Sequence, residues 1–148
     1  MRVLELESIA GFSIGTDIVN VQRIREIAPD SRFFRRVFCD EERSYCSQYG
    51  DPAPHLAGLF AAKEAVLKAL GSPKGLSLHN IEITHEMDGA PEVRPRLLAG
   101  REVTVSISHT CDWAVAVALA VRPGYVPDPL ELRHERDVAA HGLLIGGD

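Results

Sequence analysis

The chain has 148 residues, of which 45% are hydrophobic and 25% are charged. This length and composition are those of one globular domain, which can bury about 70% of the surface of its unfolded chain. The formal net charge of −5 argues against a nucleic-acid-binding protein held by phosphate contacts.

The cysteine and hydropathy patterns indicate an intracellular protein. The three cysteines, Cys39, Cys46 and Cys111, are an odd number and show no C-x-x-C spacing, so they suggest neither a disulfide framework nor a structural zinc site. No two histidines form an H-E-x-x-H motif, which leaves a zinc-hydrolase function without support. No apolar run is long enough for a signal peptide or a membrane span, so we expect a cytoplasmic protein with no membrane partner.

A strand followed by a helix is predicted near the N-terminus. Apolar residues alternate with small or polar ones from Phe12 to Ile18, the period-2 pattern of a half-buried strand, so Asp17 is expected to point away from the apolar side. Asn20 is suited to cap a helix that ends at Pro29. Asp17 then lies near a strand-to-helix turn, where an aspartate is commonly a capping residue and only its partners can indicate another role.

The next segment is basic within an acidic protein. Five arginines occur between positions 23 and 36, against Glu26 and Asp30. These are Arg23, Arg25, Arg32, Arg35 and Arg36. Such an excess of positive charge either steers an acidic partner or forms a solvated helix face, and the sequence favours neither. Residues 31–49 are predicted to be helical in two segments, the second starting at Asp40.

The strongest helix pattern spans Phe60 to Gly71. Its residues are good helix formers, and Gly71 followed by Pro73 supplies a C-terminal stop. At about 100° per residue, large apolar side chains form one stripe and Gly58 with several alanines forms the opposite side. Small residues let a second backbone come close, so this helix is expected to be covered on two sides.

The charges of this helix are informative because of where they lie. Lys63 projects into the apolar stripe and therefore needs a partner or a path to solvent. Glu64 and Lys68 are four residues apart and project side by side. They are either an ordinary surface pair worth about 0.2–0.5 kcal/mol, or a metal-binding carboxylate beside a phosphate-binding lysine. The second interpretation requires another carboxylate from elsewhere in the chain.

The C-terminal half of the domain is predicted to be an antiparallel sheet. Alternating residues near Ile81 and Ile83, with the turn signal Asp88-Gly89, indicate a hairpin that returns through 92–98. Segments 103–108 and 113–121 indicate two further strands, the second more buried. His109 lies at their turn, where it either donates to a phosphate or is simply solvated.

The composition changes after Val121, with prolines at 123, 127 and 129. We therefore divide the chain into a domain over residues 1–121 and a C-terminal extension over residues 122–148. The extension is either a helix over Pro129 to His141 or a mobile tail.

Three blocks taken together carry a resemblance to a known family. They are IGTDIV at 14–19 followed by Arg23-Ile24, FAAKEA at 60–65 followed by KALG at 68–71, and VSISHT at 105–110. In this order and spacing they resemble the 4′-phosphopantetheinyl transferases of the holo-[acyl carrier protein] synthase type. The resemblance covers about residues 12 to 121. Leu59 departs from it, since an arginine commonly precedes the FAAKEA block.

The resemblance implies a fold and an activity. The fold would be α+β, with an antiparallel sheet packed on a long central helix, in subunits that assemble as homotrimers. The reaction would move the phosphopantetheine group of coenzyme A, with Mg²⁺, onto a serine of an apo acyl carrier protein and release 3′,5′-ADP. The rival hypothesis is a non-catalytic module that binds carrier proteins and retains the fold.

The resemblance also assigns roles to residues. Asp17 and Glu64 would hold the metal, and these two with Lys68 would be catalytic. The resemblance places Arg23 on the helix that docks the carrier protein, and because carrier proteins are acidic we expect Arg25, Arg32, Arg35 and Arg36 to contact it as well. The expected coenzyme A site comprises Lys68, Gly71, Lys74, Ser108, His109 and Thr110.

Overall fold

The protein is described here from a computed structural model, which covers residues 11–95 and 97–122. Its helices are α1 (Val21–Arg25), α2 (Arg32–Val37), α3 (Asp40–Cys46) and α4 (Ala53–Ala69), with a 3-10 turn at Leu78–Asn80. Its strands are β1 (Phe12–Asn20), β2 (Glu82–His85), β3 (Pro91–Arg94), β4 (Leu97–Leu98), β5 (Arg101–His109) and β6 (Trp113–Val121). The helix predicted over Pro129 to His141 lies outside the described residues.

All strand pairs within the two sheets are antiparallel. One sheet has four strands in the order β1-β6-β5-β4, and the other is the β2–β3 hairpin. The α+β class and the antiparallel sheet packed on a long helix are therefore confirmed. The predicted strand over 92–98 is divided, since β3 ends at Arg94 and β4 joins the larger sheet.

Helix α4 lies close against the sheet because small residues meet on both sides. A Cβ atom added to Gly15 of β1 would lie 2.0 Å from the backbone oxygen of Ala65 and 2.6 Å from the backbone nitrogen of Ala69. The alanines of β6 that face the helix are buried. The predicted close approach on the small-residue side of α4 is thus confirmed, and it places the start of β1 directly under the C-terminal half of the helix.

The orientation of β1 is opposite to the one predicted. Gly15 and Val19 are buried against α4, whereas Ile14 and Ile18 are 48% and 64% exposed. Asp17 therefore faces the helix side of the sheet rather than the outside. The alternating pattern does not show which face of β1 packs on α4. The side that faces the helix requires small side chains, and the outer side of the sheet is apolar.

The outer side of the sheet is an exposed apolar surface. It includes Ile14 and Ile18 of β1 together with Trp113, Val115 and Val117 of β6, all of them 41–64% exposed. The prediction that β6 is more buried holds only for its alanines. Contiguous exposed apolar area of this kind is typical of a surface that is covered in an assembly.

Two predicted helix ends agree with the structure, the cap of α1 at Asn20 and the stop of α4 before Gly71, whereas α1 ends before Pro29 and α4 begins at Ala53, before the predicted Phe60. The Asn20 side chain accepts a hydrogen bond from the Arg23 backbone N–H and caps α1, which is shorter than predicted. Helix α4 ends at Ala69 and is followed by Gly71 with φ +73°, the left-handed conformation that glycine favours. No helix of the described residues is long and apolar enough to cross a membrane.

Lys63 has the partner that its buried position required. Its Nζ lies 2.6 Å from Glu42 Oε2 and donates to the backbone oxygens of Val37 and Leu78, and neither charged side chain is more than 1% exposed. Glu42 also accepts hydrogen bonds from the backbone N–H groups of Cys39 and Ile83. This network joins α3, α4 and β2.

Candidate active site

Asp17 and Glu64 line one cavity at the edge of the sheet. The cavity has a volume of about 300 Å³, and Arg23 also lines it. The strand β1 positions Asp17 on its helix side, and α4 places Glu64 opposite. The apolar part of the wall includes Ile24, Ile27, Phe33 and Phe60. The second carboxylate that the metal hypothesis required is therefore present.

Lys68 completes this group by contacting Asp17. Its Nζ lies 2.6 Å from Asp17 Oδ1 and donates to the backbone oxygen of Thr16 at 2.9 Å. One interpretation of the sequence paired Lys68 with Glu64. In the structure Lys68 pairs with Asp17 instead, because β1 brings that carboxylate closer. The lysine side chain is half exposed, so its ammonium remains accessible to an anionic substrate.

Glu64 has no hydrogen bond to another residue of the described part of the chain. Burial raises the pKa of its carboxyl, the negative charge of Asp17 raises it further, and Lys68 opposes both. Lys68 contacts Asp17, so among the described residues no cation lies within ion-pair distance of Glu64, and a bound cation would neutralise its charge. Mg²⁺ prefers such hard oxygen donors and commonly takes only one or two protein carboxylates, so these residues fit a magnesium site.

His109 lies on the other side of α4. It ends β5, and its ring contacts the ring of His55 edge to face, with 4.8 Å between centroids. His55 and Lys68 are near opposite ends of α4, about 20 Å apart along the helix at 1.5 Å per residue. One copy of the chain thus separates His109 from Lys68, although both were predicted to contact coenzyme A.

The remaining predicted coenzyme A residues divide between the same two places. Gly71 and Lys74 follow α4, near Lys68, and both are exposed. Ser108 and Thr110 flank His109. Thr110 shapes this turn, because its side-chain oxygen accepts hydrogen bonds from two backbone N–H groups of the turn, at 3.2 and 3.1 Å.

The five arginines of the basic segment are all exposed. Arg23 lines the cavity of Asp17 and Glu64. Arg25 pairs with Asp51 at 2.7 Å, and Arg35 donates to the backbone oxygen of Asp30. The segment therefore presents positive charge beside the carboxylate cavity.

Comparison with known proteins places the chain in a family. Residues 13–118 match the family model described as the 4'-phosphopantetheinyl transferase superfamily. The chain belongs to this superfamily. The residues that carry its predicted chemistry, Asp17, Glu64, Lys68 and His109, lie within the matched range.

Two curated relatives of this transferase are holo-[acyl-carrier-protein] synthases. It is 42% identical over 118 residues to the holo-[acyl-carrier-protein] synthase of Caldanaerobacter subterraneus subsp. tengcongensis, covering 73% of this chain and 93% of the relative. It is 45% identical over 107 residues to the enzyme of the same name from Thermodesulfovibrio yellowstonii, covering 70% of this chain and 92% of the relative.

A solved structure shares the fold of this transferase. The crystal structure of a holo-(acyl-carrier-protein) synthase from Bacillus anthracis, in complex with CoA (3',5'-ADP), aligns with a TM-score of 0.66 at 31% identity. The alignment covers 74% of this chain and 96% of that one.

The sequence interpretation missed His55. The structure places its ring against His109, and His55 lies one helical turn before Leu59, the position where the family commonly has an arginine. That spacing is the signal that was available, because residues four apart on a helix lie on the same face.

Proposed function

We propose that this protein is a magnesium-dependent holo-[acyl carrier protein] synthase. It transfers 4′-phosphopantetheine from coenzyme A to a serine of an apo acyl carrier protein and releases 3′,5′-ADP. The observation behind this proposal is the convergence of Asp17 and Glu64 on one cavity beside Lys68. The names of the relatives, and the bound ligand of the Bacillus anthracis structure, give the substrates.

In this proposal Asp17 and Glu64 hold the metal. Mg²⁺, when bound, supplies charge neutralisation of the pyrophosphate oxygens of coenzyme A. Lys68 lies where it can neutralise the charge that develops on the leaving 3′,5′-ADP, since its side chain is half exposed beside the cavity and can contact a phosphate oxygen.

The serine hydroxyl of the carrier attacks the β-phosphorus, and the bond from that phosphorus to the oxygen of the leaving 3′,5′-ADP breaks. The hydroxyl proton needs an acceptor. We assign this role to the carboxylate of Glu64, because it lines the same cavity and has no hydrogen bond to another described residue.

The carrier protein docks on the basic segment. Acyl carrier proteins are acidic, and opposite charges on two partners raise the rate of encounter and fix their orientation. Arg23 lies at the rim of the carboxylate cavity, and the other four arginines extend the positive surface along α1 and α2. A carrier bound there would present its serine to the cavity.

The enzyme acts as a homotrimer in this proposal. Two observations support assembly. The outer side of the sheet is apolar and exposed, and His109 lies apart from Lys68 within one subunit, so that only a neighbouring subunit could bring the two into one site. In a cyclic oligomer each interface joins two different patches, so one end of α4 can meet the opposite end of a neighbour's helix. The coenzyme A site would then take Lys68, Gly71 and Lys74 from one subunit and Ser108, His109 and Thr110 from the next.

The unpaired thiols of the three cysteines are consistent with a cytoplasmic enzyme.

Intact-mass measurement of an apo acyl carrier protein tests the proposal. The carrier is incubated with the protein, coenzyme A and Mg²⁺, with and without a chelator. A gain of one phosphopantetheine group that the chelator abolishes is the expected result. Absence of the gain with several carriers that nonetheless bind would refute it and favour the non-catalytic module.

A further inference from the structure

Three histidines surround a second cavity, on the far side of α4 from Asp17 and Glu64. His55 of α4, His85 of β2 and His109 of β5 all line this cavity of about 210 Å³. None of the residues described as lining it is an aspartate or a glutamate. Its polar groups are imidazoles and the hydroxyl of Tyr45, so its chemistry suits an anion.

Tyr45 of α3 and Tyr49 of the turn that follows it stack on two of the histidine rings. Tyr49 stacks on His55 with 3.6 Å between centroids, and Tyr45 stacks on His85 at 4.1 Å. The two phenol groups are hydrogen-bonded to each other at 2.8 Å. Burial raises the pKa of Tyr45 to about 12, so the Tyr45 phenol stays uncharged at neutral pH. The imidazoles are therefore preorganised rather than free to rotate.

His55 occupies the helix face from which an arginine is missing. Leu59, the residue at the arginine position, is buried in the wall of the same cavity. His55 is four residues earlier and contacts His109, which the proposed function places beside a phosphate of coenzyme A. His55, one helical turn earlier, can therefore supply the positive charge that Leu59 does not.

We propose that His55 is a second phosphate ligand beside His109 in the coenzyme A site, which makes the binding of coenzyme A weaken as the pH rises. The inference rests on the proposed function and names a specificity-determining residue within it. His55 touches no reacting atom, so it acts on substrate affinity and not on the chemical step.

The electrostatics of the free cavity agree with this role. Burial lowers the pKa of His55, and His109 and His85 lower it further, while Asp51 opposes them. Burial also lowers the pKa of His85, against the charge of Glu42. The free cavity thus favours neutral imidazole. A bound phosphate dianion would favour the protonated imidazole instead. Binding of the phosphate is therefore coupled to the uptake of a proton and is stronger at low pH.

Calorimetric titration with coenzyme A at pH 6 and pH 8 tests the inference on the full chain. We expect wild-type affinity to be higher at pH 6, with proton uptake visible as a dependence of the heat on the buffer's ionisation enthalpy. His55→Gln should lose about ten- to a hundredfold in affinity at pH 6, the contribution of one hydrogen bond to a charged group. His55→Lys should bind at both pH values, because its charge does not titrate there. His79→Gln is the matched control, since His79 is exposed on the 3-10 turn.

Turnover and a truncated ligand complete the test. KM for coenzyme A should rise in His55→Gln while kcat at saturation is kept. If dephospho-coenzyme A shows the same loss, the ligand of His55 is the pyrophosphate; if it shows none, the ligand is the 3′-phosphate. Wild-type affinity and pH dependence in His55→Gln would overturn the inference. No binding of coenzyme A by the wild type would instead refute the proposed function.

Discussion

The buried Lys63–Glu42 pair gives the sharpest test of how this fold is held together. Lys63→Met removes the only positive charge that contacts Glu42 among the described residues, and it leaves a carboxylate that is 1% exposed in its side chain. Leaving one partner of a buried pair uncompensated costs about 3–5 kcal/mol, which corresponds to a fall in Tm of roughly 10–20 °C for a domain of this size. The same substitution at the exposed Lys74 should leave Tm unchanged within about 1 °C.

A second variant separates charge from packing. Glu42→Gln combined with Lys63→Met removes both charges and keeps a side-chain oxygen for the backbone N–H of Ile83, which Glu42 Oε1 accepts at 2.8 Å. We expect it to regain a substantial part of the Tm lost by Lys63→Met alone. Thermal unfolding followed by circular dichroism measures both. A Tm of Lys63→Met within 2 °C of wild type would refute the reasoning, because it would mean that the buried Glu42 carboxylate loses its partner without a loss of stability.

Three further predictions concern the site, the packing and the assembly. Glu64→Gln should lower the rate of carrier modification at least a hundredfold, which mass spectrometry measures. It should leave the metal-free Tm unchanged or higher in calorimetry, because it removes a partly buried charge that Asp17 repels. Gly15→Ala should lower Tm by several degrees, since its Cβ would overlap the backbone of α4, whereas Gly50→Ala has open space and should not. Ile18→Glu places a charge on the exposed apolar side of the sheet and should shift the mass measured by light scattering from trimer to monomer.

The sequence predicted α4 and its packing well because both depend on local features. Good helix formers and a glycine stop predict the helix and its C-terminal end, and a side of small residues predicts the side that the sheet approaches, although the helix begins at Ala53, before the predicted Phe60. The period of β1 was also correct, but its orientation was not. Both sides of β1 are apolar or small, and the choice between them depends on α4 and on any surface that covers Ile14 and Ile18.

The sequence predicted the site residues that belong to a motif, but it did not predict contacts between residues far apart in the chain. Asp17, Glu64 and Lys68 belong to motif blocks, yet the contact of Lys68 with Asp17 joins residues 51 positions apart and has no local signature. His55 was missed although its spacing from Leu59 can be read from the sequence, because its contacts with His109 and Tyr49 depend on the fold.

The separation of the two halves of the proposed coenzyme A site leads to a last prediction. If Glu64 and His109 act in one site only when they come from neighbouring subunits, then Glu64→Gln and His109→Ala enzymes, each inactive alone, should regain activity when mixed in one trimer. In random 1:1 trimers about a quarter of the interfaces join an intact Glu64 to an intact His109. Co-refolding the two variants should therefore restore about a quarter of the wild-type rate. Each variant refolded separately and then combined, without exchange of subunits, should remain inactive. No recovery in mixed trimers, verified by native mass spectrometry, would show that each site is built within one subunit, and the trimer would then need another explanation than completion of the site.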